Sequence, residues 1–562
     1  MEQSLIEGIN KALREYNLSG IDFSLEHPKE LSNGDYATNV ALIAGKKIGK
    51  NPLEIAGQIL AELEKQNIEG IEKIEIAGPG FINFTLKREI FIAGLSCGQD
   101  KEWGNTEVYK GQKILVEHSS PNLFKPFHIG HLMNNTIGES LYRLAKSSGA
   151  QATPISFPSD ISLGVAKAIY ILLEKYGENF TPSDVSILGE AYVEGVRKYE
   201  EAEKEQPCGS IVYRVKEIAD NLYAQKDSPE LRLFNICKEF NIEYFENIVK
   251  DLGSEFDSYI YESEAGVDGK RIVIENTPKV FSESEGAIVY VPEENKKLHT
   301  SVFINSQGNP TYEAKDLGLL DLKFKSYNPD QSIFVTDGQQ VSHFQVVLDA
   351  GGKINPAWQE KSFHRYHGRM SFKGQKMSSR LGNTPIVEDI LNTIIEEVKE
   401  KNPDIENSSA KIIAISAIKF AILRTQAGKD INFDPETSLS FEGDSGPYLQ
   451  YTAVRAGSLI EKAKSLGINP SIENPIEGTE TLERLIARFL EVISRSQREW
   501  APHYIVTYLL DIAQEFNSWY GQAKIVDEDK EATAYRLYVV SAVRQTLING
   551  LWVLGIETPE KM

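Results

Sequence analysis

The stretch VEHSSPNLFKPFHIGH, residues 116–131, decides the fold of the chain. It begins in a short apolar run, 113–117, of the kind that forms a buried strand, and leads through Ser-Ser-Pro-Asn into a helical pattern that ends near Gly149. Further strand patterns, separated by helical patterns, follow at 152–157, 302–305 and 332–336. This alternation predicts an α/β domain built on a parallel sheet.

His128, Gly130 and His131 stand where the first of these helices begins. A helix N-terminus offers unpaired N–H groups and the positive end of its dipole to a phosphate. Two imidazoles can donate hydrogen bonds to phosphate oxygens as charge develops in phosphoryl or nucleotidyl transfer, and a glycine lets a flat adenine ring approach the backbone. The pattern favours nucleotide chemistry, although two unrelated histidines at a helix start would have the same spacing.

The composition limits the class of protein. A length of 562 residues predicts three or four domains at about 150 residues per domain, and 41% hydrophobic with 25% charged residues excludes collagen-like and wholly disordered chains. No apolar run is long enough to cross a bilayer, and the start MEQSLIEGINKALREY lacks the features of a secretion signal, so we expect a cytoplasmic protein. The three cysteines are far apart, so we expect reduced thiols and no structural metal.

The charge distribution is uneven. A net charge of −21 argues against indiscriminate nucleic-acid binding. The stretch 353–380 differs, because it holds seven basic residues and the single acid Glu360. Such a run is commonly a solvated surface, and it can also hold an anion. The motif Lys-Met-Ser-Ser-Arg inside it favours the second interpretation.

Composition and pattern divide the chain into three parts. Residues 1–105 have helical patterns followed by two short strand patterns joined by Gly-Pro-Gly, which predict a small α+β domain. Residues 106–385 carry the α/β pattern, interrupted at about 175–295 by a charged, less regular insertion. Residues 386–562 are almost purely helical in pattern and predict a separate all-α domain.

Two motifs resemble the signatures of class I aminoacyl-tRNA synthetases. His-Ile-Gly-His at 128–131 is unaltered, and the motif at 376–380 resembles Lys-Met-Ser-Lys-Ser, with Ser379 in place of the second lysine and Arg380 in place of the last serine. The resemblance implies a Rossmann-like (HUP-type) catalytic domain that binds ATP with its Mg²⁺. Lys125 resembles a lysine with which arginine-specific members compensate for a weakened second motif. The residues implied in ATP binding and catalysis are Lys125, His128, Gly130, His131, Lys376, Met377, Ser378, Ser379 and Arg380.

Among these families the stretch 119–131 is most similar to arginyl-tRNA synthetases. GDYATN at 34–39 and AGPGFINF at 77–84 resemble their N-terminal domain, which grips the outer corner of tRNA. GPYLQYTAVR at 446–455 and GLWVLGIETPEKM at 550–562 resemble their helical anticodon-binding domain. The resemblance implies formation of arginyl-adenylate from L-arginine and ATP, and transfer of arginine to the 3′-terminal ribose of tRNA-Arg. We expect a monomer.

A guanidinium is best held by carboxylates, because their paired oxygens match its N–H fork. Glu117 ends the first core strand, and Tyr312 and Asp316 are four residues apart, which places them on one helix face. The resemblance implies that these three residues line the pocket for the arginine side chain. It also implies that Ser119, Asn122 and Gln340 contact the substrate arginine. Taken alone, Tyr312 would fit a core aromatic and Asp316 a helix-surface acid.

The loop after the second strand departs from the family pattern, which has Gly-Asp or Asn-Asp and then Gly. This chain reads PISFPSDISLG, so Asp160 is retained and Ser162 stands in the glycine position. The resemblance therefore carries least weight between 156 and 164, where Asp160 remains a candidate.

Two groups of residues are candidates for tRNA contacts. Phe81 and Asn83 pair an aromatic ring with an amide, which suits stacking on an unpaired base and reading its edge, and in the family the matching positions meet the D-loop. Tyr448, Tyr451 and Arg455 share one helical stripe. Core packing would explain the aromatic residues equally well.

Two other functions are compatible with parts of the sequence. A nucleotidyltransferase with the His-Ile-Gly-His motif could act on a small metabolite, but both terminal regions would then be unexplained. A non-catalytic tRNA-binding relative would fit the altered second motif. Arginine-dependent exchange of pyrophosphate into ATP distinguishes both from a synthetase.

Overall fold

The computed structural model describes residues 1–28, 30–206, 209–373 and 386–562. The chain forms two compact units. The first unit comprises Met1–Trp103, Ala456–Glu491 and Glu515–Thr546. The second comprises Gly104–Arg455, Val492–Gln514 and Leu547–Met562. The C-terminal region is thus divided between the two units.

The N-terminal residues form a small α+β fold. Their elements are α1 (Glu2–Glu15), β1 (Leu25–Glu26), a 3₁₀ turn (Leu31–Asn33), β2 (Tyr36–Thr38), α2 (Val40–Ile48), α3 (Pro52–Gln66), β3 (Ile71–Ala77), β4 (Phe81–Leu86) and α4 (Arg88–Cys97). The strands make one antiparallel sheet in the order β1-β2-β4-β3. Helix α1 buries one apolar stripe that includes Leu5 and Ile9, and α3 begins at Asn51, whose side chain accepts a hydrogen bond from the amide of Leu53.

Residues 104–373 form the α/β part of the second unit. Its elements are β5 (Lys113–Glu117), α5 (Ile129–Ser147), β6 (Gln151–Ser156), α6 (Leu163–Tyr176), α7 (Val185–Glu205), α8 (Ser210–Tyr223), α9 (Pro229–Asp251), β7 (Ser258–Tyr259), α10 (Glu262–Glu275), β8 (Ser282–Ser284), β9 (Ala287–Tyr290), β10 (Ser301–Ile304), α11 (Tyr312–Tyr327), β11 (Gln331–Asp337), a 3₁₀ turn (Gly338–Gln340), α12 (Val341–Ile354), α13 (Pro356–Glu360), β12 (Ser362–His367) and β13 (Met370–Phe372).

Five of these strands form the predicted parallel sheet. Their order is β12-β11-β5-β6-β7. The central strand β5 buries Ile114, Leu115 and Val116 in succession, as a strand covered on both faces must. The carboxyl ends of β5 and β11 lie side by side, at the edge of the sheet where α/β folds bind ligands.

The prediction that 302–305 belongs to the parallel sheet is wrong. This segment lies in β10, which pairs with β9 in a separate antiparallel sheet of order β10-β9-β8. Ser301 and Phe303 are buried while Val302 is 39% exposed, the alternation of a sheet with one solvated face. A short apolar run does not distinguish this environment from a doubly covered strand.

The predicted insertion at about 175–295 is mostly helical, but it also supplies β7, the edge strand of the parallel sheet. This strand has only two residues, Ser258–Tyr259, and no apolar run that would reveal it in the sequence. Helices α7, α8 and α9 pack with α6 around buried apolar residues such as Leu188, Val215 and Phe234.

The C-terminal residues are helical, as predicted, apart from one short strand. Their elements are α14 (Val387–Lys401), α15 (Asn407–Leu423), β14 (Ile431–Phe433), α16 (Pro435–Ser438), α17 (Gly446–Ser465), α18 (Glu480–Ala487), α19 (Phe489–Glu499), α20 (His503–Gln522) and α21 (Lys530–Val553). Strand β14 pairs in parallel with β13, where Met370 lies opposite Ile431. Two chain segments far apart in sequence are thereby joined within the second unit.

An ion pair with a buried carboxylate joins C-terminal residues to the N-terminal fold within the first unit. The Arg88 guanidinium donates to both carboxylate oxygens of Glu483, at 2.7 and 2.8 Å. Glu483 is fully buried and also accepts hydrogen bonds from Thr479 and Tyr535. Because all these donors converge on one carboxylate, its burial is compensated.

Candidate active site

The N-terminus of α5 carries the His-Ile-Gly-His motif. His128 is the N-cap residue, and its Nδ1 accepts a hydrogen bond from the amide of Gly130 at 3.1 Å. Nδ1 of His131 accepts from the amide of His128 at 3.3 Å. The two rings stack with centroids 3.7 Å apart and planes 15° apart. The histidines therefore cap the helix themselves, and this capping fixes both ring orientations.

This capping also decides the tautomer of both rings. A neutral imidazole that accepts at Nδ1 carries its proton on Nε2, and among the described residues Nε2 of neither ring has a hydrogen-bond partner. Burial, and then the charge of Lys125, lowers the pKa of His128. Burial, with repulsion from His128 and Lys125, holds the pKa of His131 well below its ordinary value. At neutral pH the site thus presents two neutral N–H donors.

Gly130 provides the space that the first ring occupies. A Cβ at this position would lie 3.1 Å from Cε1 and 3.2 Å from Nδ1 of His128, closer than most carbon contacts. A side chain here would press the ring out of the cap. The glycine is therefore needed for the geometry of the motif itself.

Lys125 lies in the loop before α5. Its Nζ is 4.6 Å from the centroid of the Tyr192 ring. The preceding residue, Phe124, has a φ of 64° and donates from its amide to Oδ1 of Asn241 at 2.6 Å. Because α9 holds the loop in this way, the lysine charge stays close enough to the two histidines to lower their pKa values.

Glu117 from β5 and Asp316 from α11 face the same small pocket. It is lined by Glu117, Asp316, Leu319, Leu320, Lys323, Phe334, Phe344, Val347 and Leu348. Each carboxylate has a cationic partner within the protein. Nζ of Lys323 lies 2.7 Å from Oε2 of Glu117, and Nε2 of His343 lies 2.5 Å from Oδ2 of Asp316. The two acids thus share one pocket, which we call the guanidinium pocket after the ligand that the sequence predicts for it.

The other candidates for arginine binding are placed as follows. Tyr312, the first residue of α11, is 67% exposed, so it is not a core aromatic. Asn122 follows β5 and Gln340 ends the 3₁₀ turn after β11, and both side chains are exposed. Since β5 and β11 are adjacent parallel strands, these two amides lie at the same edge of the sheet.

Ser119 differs from them because its side chain is buried. Its φ is 56°, and its Oγ accepts from Nδ2 of Asn135 at 3.1 Å and lies 2.8 Å from Nδ1 of His118. Its amide donates to Oδ1 of Asn134 at 2.6 Å. The side chain of Ser119 therefore orders the loop after β5.

Asp160 is engaged inside the protein. Its Oδ2 accepts from Nζ of Lys238 at 2.7 Å and from Oγ of Ser263 at 2.8 Å, and its Oδ1 accepts from the amide of Ser263 at 2.9 Å. Ser162, in the position where the family has glycine, is the N-cap residue of α6. This loop is held by internal contacts.

The second motif lies outside the described residues: Lys376, Met377, Ser378, Ser379 and Arg380. Before this segment the amide of Lys373 donates to the carbonyl oxygen of Phe433 at 2.9 Å. After it, Ile386 forms a β-bridge with His128, and the amide of Val387 donates to the carbonyl oxygen of Phe127 at 2.8 Å. The chain thus returns directly to the first motif.

The candidates for tRNA contacts belong to different units. Phe81 begins β4 and is half-buried, while Asn83 is only 8% exposed. In the second unit, Tyr448 is also only 8% exposed. Arg455 donates to the hydroxyl of Tyr451 at 2.8 Å and lies 4.7 Å from the centroid of its ring.

Sequence reasoning missed Lys323 and His343, which contact the two pocket carboxylates. Lys323 lies seven residues after Asp316, on the same face of α11, and this spacing is the signal that could have found it. His343 has no comparable signal, because α12 brings it to Asp316 across the fold.

Within the described ranges, no group of three or more His, Cys, Asp or Glu residues could hold a metal ion. No helix in this part of the chain has the length and apolar character needed to span a membrane.

Three family models match the chain. Residues 3–86 match the arginyl tRNA synthetase N-terminal domain, residues 98–434 the class I (R) tRNA synthetase catalytic domain, and residues 449–562 the DALR anticodon binding domain.

Curated relatives and solved structures extend over the same length. An arginine–tRNA ligase of Halothermothrix orenii is 30% identical and covers 100% of this chain and 99% of its own. One of Clostridium perfringens is also 30% identical and covers 97% of each. The fold is similar to arginyl-tRNA synthetases of Thermus thermophilus (TM-score 0.80, 24% identity, 100% of both chains) and Plasmodium falciparum (TM-score 0.82, 20% identity, 100% and 99%).

Proposed function

The chain belongs to the arginyl-tRNA synthetase family, and from that premise we propose how its residues activate L-arginine and charge tRNA-Arg. In the first step the carboxylate of arginine attacks the α-phosphate of ATP, forming arginyl-adenylate and releasing pyrophosphate. In the second step a hydroxyl of the 3′-terminal ribose attacks the adenylate carbonyl, and AMP leaves.

The observation that carries this proposal is the pair of stacked, neutral imidazoles at the N-terminus of α5. Both hold a proton on Nε2, and the helix end adds the positive pole of its dipole. As negative charge grows on the phosphate oxygens, these fixed donors stabilise it without having to reorganise. Lys125 and the motif at 376–380 add positive charge for the triphosphate, and Mg²⁺ enters with ATP as part of the substrate.

Arginine is bound at the carboxyl edge of the parallel sheet. We propose that Glu117 and Asp316 receive the guanidinium and that Tyr312 flanks it. The two exposed amides, Asn122 and Gln340, take the α-amino and carboxylate groups. Ser119 contributes by ordering the loop between them, since its hydroxyl is engaged within the protein.

We infer a division of labour among three regions: 1–105 contacts the body of the tRNA, 106–385 catalyses, and 386–562 binds the anticodon. The matches to an N-terminal and an anticodon-binding family model support this division. The residues proposed to contact tRNA are Phe81, Asn83, Tyr448, Tyr451 and Arg455. We propose that the protein works as a monomer in the cytoplasm, which light scattering on the purified chain and fractionation of cells would test.

The test is exchange of labelled pyrophosphate into ATP with each amino acid in turn, with and without tRNA. We expect exchange with arginine alone among the amino acids, followed by charging of tRNA-Arg. Exchange that does not depend on arginine would indicate a nucleotidyltransferase. Binding of tRNA without exchange would indicate a non-catalytic relative, and either outcome would refute the proposal.

A further inference from the structure

The two carboxylates of the guanidinium pocket are each paired with an internal cation, and the two cations are of different kinds. Lys323 and Glu117 form a buried pair, with Nζ 2.7 Å from Oε2. His343 lies between two acids of α11, with Nε2 2.5 Å from Oδ2 of Asp316 and Nδ1 3.8 Å from Oε1 of Glu313. An ammonium keeps its charge near neutral pH, whereas an imidazolium can release its proton there.

The surroundings of His343 favour its charged form. Burial opposes the charge, but the hydrogen bonds to Asp316 and Glu313 outweigh burial and raise the pKa of His343 to about 9. Burial, and then repulsion from His343, lowers the pKa of the neighbouring His364 to about 4. At neutral pH, therefore, His343 is an imidazolium and His364 is a neutral imidazole.

The charged and titratable groups around this imidazolium come from several elements. They are Asp316 and Glu313 on α11, which raise its pKa, and His364 on β12, whose pKa it lowers; Glu117 and Lys323 line the same pocket as Asp316. The proton on His343 is thus held chiefly by the carboxylate that we assign to the substrate.

A guanidinium and an imidazolium on the same carboxylate of Asp316 repel one another strongly, because like charges at close range are poorly screened in a partly buried site. We propose that His343 is a place-holding cation, protonated in the empty pocket, which releases its proton to solvent when the arginine side chain takes its place at Asp316. This inference rests on the proposed function.

This replacement of the imidazolium by the guanidinium would help the pocket to select arginine. One positive charge enters as another leaves, so the pocket keeps its charge while it replaces an internal donor with the fork of a guanidinium. A neutral isostere such as citrulline offers no charge to compensate for the lost proton. It should therefore bind weakly and without proton release.

The test is calorimetry of arginine binding to the full-length protein in buffers of different ionisation enthalpy between pH 6.5 and 8. We expect close to one proton released per arginine, and a Kd that falls close to tenfold per pH unit. The variant His343→Gln should bind arginine with no proton release and little pH dependence. His299→Gln, which changes an exposed histidine, should behave as wild type.

The outcomes separate the two proposals. Arginine binding by the wild type without proton release would overturn the place-holding role, whether or not His343→Gln folds, because that measurement needs no variant. Equal proton release by His343→Gln and wild type would also overturn it. Failure of the wild type to bind arginine at all would instead refute the proposed function.

Discussion

Lys419, on α15, donates hydrogen bonds from Nζ to the carbonyl oxygen of Gly555 at 2.6 Å and to that of Leu252 at 2.5 Å. The side chain is only 1% exposed. Burial, and then repulsion from Arg143, lowers the pKa of Lys419 to about 7. One lysine side chain thus joins the chain segments after α9 and after α21 inside the second unit.

This arrangement predicts stability that rises with pH. A free lysine titrates near pH ~10.4, so between pH 7 and 10 the unfolded chain binds the proton that the folded chain has lost. The wild type should gain up to about 1.4 kcal/mol per pH unit over this range relative to Lys419→Met. Denaturant midpoints of both proteins at pH 7 and 9 would measure the difference. Parallel pH dependences would contradict the prediction.

Replacing either of the stacked histidines should slow the chemical step and leave arginine binding little changed. His128→Ala or His131→Ala should lower adenylate formation by about 10² or more with little change in arginine affinity, because a donor to the transition state is removed. Pyrophosphate exchange and calorimetry would give the two quantities. His299→Gln serves as the matched control, and equal activity of the alanine variants would remove the motif from the mechanism.

Removing the charge of Asp316 in the guanidinium pocket should weaken arginine binding alone. Asp316→Asn keeps the shape and removes a charge, and hydrogen bonds to charged groups are worth about 1.5 to 3 kcal/mol. The KM for arginine should rise at least about tenfold while ATP binding is unchanged. Glu360→Gln, an exposed acid on α13, is the control. An unchanged KM in Asp316→Asn would end the assignment.

The role proposed for Lys125 gives the most stringent prediction. If it supplies the charge that Ser379 does not, Lys125→Ala should reduce exchange more than Lys376→Ala, because its charge already acts on both histidines. Lys146→Ala is a matched control, since that lysine also lies over a tyrosine ring, with Nζ 5.9 Å from the centroid.

The reverse change tests the same idea. Adding Ser379→Lys to Lys125→Ala should recover much of the exchange if both positions serve one phosphate group. An additive or larger loss in the double variant would indicate that Lys125 acts elsewhere, in holding the loop before His128.

The sequence predicts the parallel sheet and the start of α5 because both depend on local signals, an apolar run followed by a capping motif. It predicts β10 as a strand but assigns it to the wrong sheet, and it misses β7, because short strands acquire their neighbours only from the tertiary fold. The sequence does not reveal that Lys323 and His343 pair with the pocket carboxylates, for the same reason. Lys323 and Lys325 are both lysines on α11, yet the first is buried against Glu117 and the second is exposed.

The pairing of Glu117 with Lys323 restricts how the pocket can be redesigned. Removing either partner leaves an uncompensated buried charge, which typically costs about 3 to 5 kcal/mol. A library that varies pocket positions one at a time would therefore destabilise each Glu117 variant that lacks the charge by this amount, whatever its substrate preference. New amino-acid specificities at this position become accessible only to libraries that randomise both codons together, so the two residues behave as a single mutational unit.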